Sequence, residues 1–344
     1  MSTGILAPAS IEVQPRARAI TTYAPGLLLC LVGAIIAMLF SSFIPGLSAM
    51  IVAIIAGIAL TNMTQLPSTF SPGIQVAAKT LLRWGIVFLG LKLVIADVRG
   101  LGLPMLLVIV CIVSGGIIGT LLIGRLLKMK PAQVLLIACG FSICGAAAVA
   151  GVEGASDAEE DVVIAVALVV IFGTIMIPTI PFRGALAGLA PETMGMWAGG
   201  SIHEVAQVVA AGGVIGGSAL EIAVVVKLAR VLMLAPVVFI LSLVKRRQSS
   251  GVQTTGHEKR PPIVPLFIIG FLSMVLLRST VDLPEPVLAT GDFLQTILLA
   301  TAMFALGCGV KIQSLLHVGV RPFVPAFAST VFVATIAFVG IELV

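Results

Sequence analysis

Long apolar runs, separated by short boundaries marked by Pro, Gly or charge, make up almost the whole of this chain. A helix needs ~20 apolar residues to cross the ~30 Å hydrocarbon core of a bilayer. On that length criterion the candidate crossings are residues 25–43, 46–62, 74–95, 103–124, 131–152, 161–181, 194–215, 219–244, 263–277, 293–310 and 323–344. The pattern predicts an all-α polytopic membrane protein with about 11 transmembrane helices. It reads as one transmembrane domain, 25–344, after a short cytoplasmic tail, 1–24. One long polar linker, KRRQSSGVQTTGHEKRPP at 245–262, interrupts the domain and is expected to be mobile. The first run follows Arg16 and Arg18 and so resembles a signal peptide, but it is long enough to span and no small-x-small cleavage site precedes Pro45.

Composition sharpens this picture. Hydrophobic residues are 59% of the 344 and charged residues 10%, with a mean hydropathy of +1.20, whereas soluble domains carry roughly a quarter charged residues. The formal charge of +5 would suggest nucleic acid in a soluble protein, but the basic residues cluster in short loops between apolar runs, which is a topology signal. No nucleic-acid partner is expected; the bilayer is. All five cysteines (Cys30, Cys111, Cys139, Cys144, Cys308) lie in apolar segments, and no C-x-x-C or His/Cys cluster exists. Neither disulfide, metal nor cofactor is therefore expected.

If every candidate crosses once, Arg16 and Arg18, then Arg125, Lys128 and Lys130, then Arg183, the linker bases, and Lys311 with Arg321 share one side. The acidic connection 153–161 and the loop holding Asp282 and Glu285 fall on the other. Cytoplasmic loops retain Lys and Arg, so the N-terminus and linker are expected inside, and 153–161 and the C-terminus in the periplasm. One helix followed by two sets of five would give an inverted repeat, the plan of many transporters. A weak internal echo, Gly90-Leu91-Lys92-Leu93 against Gly309-Val310-Lys311-Ile312, pairs spans seven apart. Which pairing is the true repeat stays open.

Three segments interrupt the apolar pattern with chemistry. The span from Pro131 holds Gly140, Ser142, Ile143, Cys144 and Gly145, and 11 residues from Pro131 to Ser142 place that break ~16 Å deep. Loose backbone N–H groups there would suit an anion, or the small residues simply admit close helix packing. The second segment places Gly199, Gly200 and Ser201 before His203, Glu204 and Gln207, with Ser201 an acceptable N-cap. Ionisable residues deep in a membrane cost ~2.5 to 3.5 kcal/mol each on insertion scales, so His203 and Glu204, with Gln207, are read as a proton-coupling group; a satisfied core histidine is the plainer alternative for His203. The next span carries Lys227 and Arg230 three residues apart, on one helix face. They either snorkel, pair internally through Arg230 and Glu204, or, outnumbering that acid by one, face a negative solute. Gly307 and Gly309 form a third break, or else a helix C-cap. The anion-binding candidates are thus Ser142, Ile143, Cys144, Gly145, Gly200, Ser201, Lys227, Arg230, Gly307 and Gly309. Lys79 and Arg83 read as interfacial anchors of their span.

At these segments the chain resembles the YeiH-type family of bacterial membrane proteins, labelled sulfate exporters. The resemblance rests on GFSICGAAAVAG at 140–151, GSIHEVAQVVAAG at 200–212 and VKLARVLMLAP at 226–236, with support from GIVFLGLKL at 85–93 and ALGCGVKI at 305–312. It covers the chain from about Pro25 onward. The family looks related to the cation/proton antiporters and bile-acid symporters, which implies inverted five-helix repeats whose broken helices cross at mid-membrane. The acidic pair, or Asn-Asp, of the sodium/proton antiporters is missing at 142–145. The expectation is a secondary transporter, not an enzyme, that moves a small oxyanion, sulfate or a related sulfur compound, across the bacterial inner membrane by alternating access. Its partners would be the anionic solute and a coupling proton, and a homodimer is admitted. Cation/proton antiport through Glu204 is the alternative. An intramembrane zinc enzyme is disfavoured, because His203-Glu204 matches only the start of H-E-x-x-H and position 207 is Gln; a sensor or channel is weaker still.

Overall fold

The computed structural model describes residues 16–44, 48–153, 159–249, 265–310, 313 and 320–344. Most of the tail 1–24 and of the linker 245–262, together with Lys311 and Ile312, lie outside them. Every described element is a helix or a turn. The helices are α1 (Arg16–Ser42), α2 (Ala49–Met63), α3 (Ser68–Lys92), the short α4 (Ile95–Gly100), α5 (Gly102–Leu126), α6 (Pro131–Ser142) and α7 (Ala146–Val152). They continue as α8 (Glu159–Leu186), α9 (Pro191–Ser201), α10 (Val205–Ile215), α11 (Ala219–Val244), α12 (Leu266–Thr280), α13 (Glu285–Gly309) and α14 (Phe323–Glu342). Seven are long and apolar enough to cross a membrane: α1, α3, α5, α8, α11, α13 and α14. The polytopic all-helical architecture with interrupted core helices is as the apolar pattern predicts.

The path of the two interrupted segments differs from that prediction. A Cβ placed on Gly140 of α6 would lie 2.9 Å from Val149 of α7, although nine residues of straight helix would separate them by ~13.5 Å. The arm α7 therefore returns alongside α6. Gly145, with φ +76°, supplies the reversal, a conformation that glycine adopts without steric cost. In the same way the Ser218 hydroxyl, just beyond α10, donates to the Glu192 carboxylate at the start of α9, so α10 returns to where α9 began. Residues 131–152 and 194–215 are thus re-entrant hairpins and not single crossings. Pro131 and Pro191 open them at N1, where a missing N–H costs nothing. Both tips follow a Gly-x-Ser-Ile or Gly-Ser-Ile run, 140–143 and 200–202.

The hairpins enter from opposite ends. Gln133 at the start of α6 bonds Asp161 at the start of α8 (2.9 Å), and the 28-residue α8 then traverses ~42 Å to deliver α9 at the far end. Two successive hairpin-plus-helix pairs therefore run in opposite directions: α6–α7 with α8, and α9–α10 with α11. Two side assignments change as a result. Asp161 lies at the end that holds Arg125, Lys128 and Lys130, and Arg183 lies at the other; the expectation of one crossing per apolar run had reversed both.

The helices form two groups. The first comprises α1, α2, α3, α12 and α13, drawn together where glycines meet: Gly26 against the Gly73 backbone and Gly57 against Gly307. The second comprises α5 to α11 with α14. Between them, toward the Arg125 end, lies a cavity of about 900 Å³ lined by Thr61, Gln65, Lys79, Ala146, Glu153 and Gly309 among others.

Candidate functional site

The hairpin tips meet inside the second group, and two basic side chains of α11 lie between them. Both belong on one helix face by their three-residue spacing, and both are fully buried. The Lys227 ammonium donates to the carbonyls of Ile143 (3.0 Å), Ile202 (2.8 Å) and His203. The Arg230 guanidinium donates through Nη1 to Gly199 (3.0 Å), Gly200 (2.7 Å) and Ile202 (3.0 Å), and through Nη2 to Phe141 (3.2 Å) and Ser142 (2.9 Å). These oxygens terminate α6 and α9. The last carbonyls of a helix lack intrahelical partners and carry the negative end of its dipole, so two fixed cations satisfy both needs at once. Arg230 Nε is left without a partner among the described groups, as is the Ser142 hydroxyl.

The carboxylate takes the opposite ends. Glu204 Oε1 accepts from the Ala146 N–H (2.9 Å) at the start of α7. Glu204 also caps α10 in a reciprocal box with Gln207, whose own oxygen accepts from the Glu204 N–H (3.2 Å). Gln207 Nε2 then donates to the Val170 carbonyl of α8 (3.3 Å). Glu204 thereby neutralises N-terminal partial charge on one arm of each hairpin. His203 Nδ1 lies 3.1 Å from the Phe141 carbonyl and Nε2 3.1 Å from the Thr330 hydroxyl of α14. A carbonyl only accepts, so Nδ1 carries a proton. The imidazole also packs against the Phe141 ring, with centroids 4.5 Å apart.

The structure thus brings Ser142, Ile143, Cys144, Gly145, Gly200, Ser201, His203, Glu204, Gln207, Lys227 and Arg230 into one buried cluster. Three details differ from the sequence reading. Ser201 closes α9, its hydroxyl bonded back to the Trp197 carbonyl, and Glu204, not Ser201, is the N-cap of α10. Arg230 binds carbonyls; no ion pair joins it to Glu204 among the described residues. Gly307 and Gly309 are elsewhere: Gly307 packs on Gly57 of α2, and Gly309 lines the cavity. The sequence reading missed Phe141 and Thr330, which hold His203. Thr330, with its neighbour Ser329, is a polar pair inside the apolar α14 and could have signalled it.

In chemical terms the cluster holds two cations to one carboxylate, every strong donor of Lys227 has an acceptor, and the whole bridges two hairpins from opposite ends. The family described as "Conserved hypothetical protein 698" matches residues 25–326. A UPF0324 membrane protein of Corynebacterium glutamicum is 65% identical over 341 residues, 99% of this chain and 98% of its own length. Similar proteins of the same description come from Bacteroides thetaiotaomicron, 41% identical over 81% of this chain and 84% of its own, and Agrobacterium fabrum, 36% identical over 91% of each. No solved structure matches the chain.

Proposed function

Since this chain belongs to the family of conserved hypothetical protein 698, a family of membrane proteins, we propose that it is a secondary transporter and not an enzyme, moving a small oxyanion, sulfate or a related sulfur compound, across the bacterial inner membrane by alternating access. The observation that supports this most is the pair of opposed re-entrant hairpins whose carbonyl ends are already filled by Lys227 and Arg230. Hairpins that stop at mid-depth are tolerated where they line a route or lie buried in protein. Backbone carbonyls of interrupted helices are the groups that would coordinate a transported cation. With fixed cations on them, the excess charge of the cluster favours an anionic solute over cation antiport.

The two helix groups and the cavity between them provide the moving parts and a vestibule. Glu204 and His203 are the candidate proton-coupling pair. By the positive-inside rule, Arg125, Lys128 and Lys130 support a cytoplasmic assignment for their end of the protein, and with it the reading of an N-terminus inside and a C-terminus in the periplasm. Proteoliposomes containing the purified protein test the reading: radiolabelled sulfate should accumulate by counterflow above protein-free vesicles. A sulfur oxyanion at ~100 times its Kd should also stabilise the detergent-solubilised protein by ~2.7 kcal/mol. Absence of both effects across sulfate, sulfite and thiosulfate, with stabilisation by a metal cation instead, would return cation antiport to first place.

A further inference from the structure

His203 is fully buried and links three elements. It follows α9, its Nδ1 lies 3.1 Å from the Phe141 carbonyl of α6, and its Nε2 lies 3.1 Å from the Thr330 hydroxyl of α14. That hydroxyl has a second neighbour, the Ala326 carbonyl, 2.9 Å away and one turn back in α14. A hydroxyl has one proton to give and two lone pairs to receive with, so it donates to Ala326 or to Nε2 but not to both. With Nδ1 keeping its proton toward Phe141, whether Nε2 carries one as well fixes the charge of the ring.

Each charge state finds a complete set of partners. When the imidazole is neutral, Thr330 donates to the Nε2 lone pair. When it is charged, Nε2 donates to Thr330, and Thr330 donates to Ala326. Rotation of one hydroxyl proton about the Cβ–Oγ1 bond converts one arrangement into the other while every heavy atom keeps its place. The Ala326 carbonyl tolerates both, because it is also a ladder acceptor of the helix. Glu204 offers no such pair of states. Its carboxylate meets the N–H groups of Ala146 and Gln207, which are donors, and no acceptor for a carboxyl proton is among its contacts with the described residues.

We propose that His203 Nε2 carries the coupling proton, that Thr330 is the positioning residue that lets the ring hold it, and that the proton crosses together with a divalent oxyanion. The charged groups around the ring set the last point. Helix α11 presents Lys227 and Arg230 to it, Glu204 adjoins it in the chain, and α6 and α14 present the uncharged Phe141 and Thr330. Lys227 and Arg230 against Glu204 leave one positive charge. A proton on His203 makes two, the charge that a dianion balances. Glu204 keeps its place at the N-terminal ends of α7 and α10. The coupling rests on the transport reading above; the proton site rests on the Thr330 hydroxyl and its two acceptors.

Nitrogen NMR of the full-length detergent-solubilised protein, labelled in its histidine rings and carrying His257→Gln and His317→Gln so that His203 alone is seen, tests the site. On acidification within the range where the protein stays folded, Nε2 should pass from an unprotonated to a protonated nitrogen while Nδ1 stays protonated. Thr330→Val should lose that change and Thr330→Ser should keep it. In proteoliposomes, sulfate should accumulate on the alkaline side of an imposed pH gradient. Thr330→Val should reduce this gradient-driven uptake roughly tenfold more than it reduces sulfate counterflow, the scale of one lost hydrogen bond to a charged group. Glu204→Gln should reduce both by the same factor as Tm falls. A purely structural Thr330 would also lower both fluxes alike, and that result overturns the proposal. So does an Nε2 that keeps one protonation state throughout in the wild type, or wild-type uptake that ignores the pH gradient; counterflow would leave the transport reading standing in each case. If the wild type shows neither uptake nor counterflow, the transport reading falls and the coupling with it, and the NMR result alone decides whether His203 is a proton site.

Discussion

Arg230 places one planar guanidinium against five carbonyl oxygens drawn from both hairpins. A lysine at that position keeps the charge but has three donors on a point-like head and no fork. Arg230→Lys should therefore strand carbonyls at the ends of α6 or α9, and breaking a buried charged contact costs roughly 3 kcal/mol or more. The expected outcome is a clear fall in Tm of the detergent-purified protein even without ligand; an unchanged Tm would show that the guanidinium is not what ties the tips. The residues of this cluster were legible in the sequence because each is an oddity in an apolar run: Gly-Gly-Ser before His203 and Glu204, and two bases inside α11. Their contacts were not. Charge along a sequence does not say which end of a broken helix it will meet, and here the bases meet carbonyls while the acid meets N–H groups.

At the scale of elements, the hairpins carry the sharpest consequence. Residues just before α9 and just after α10 share one membrane face, whereas a single crossing would separate them. In a cysteine-free background, Ala187→Cys and Ser218→Cys should react alike with an impermeant thiol reagent added to intact cells, and Lys130→Cys should respond oppositely. Different labelling of 187 and 218 would refute the hairpin. Nothing in the apolar pattern could reveal the reversal, because α6 with α7 has the summed length of one crossing and the turn depends on a backbone angle at Gly145.

For the molecule as a whole, the bonds from Lys227 and Arg230 decide what can move. Each of these side chains holds both hairpins to α11, so neither tip can swing open alone without leaving buried charge unpartnered, a cost of several kcal/mol. The second helix group is thereby expected to shift as one body against the glycine-packed first group. A body that changes height in a bilayer changes the thickness of apolar belt it shows to the lipid, and such mismatch costs fractions of a kcal/mol per Å. Turnover in proteoliposomes should then vary with acyl-chain length and pass through an optimum, while a transporter gated by one local hairpin would be nearly indifferent. Two basic side chains buried at the centre of the protein would in this way make its speed a property of the membrane around it.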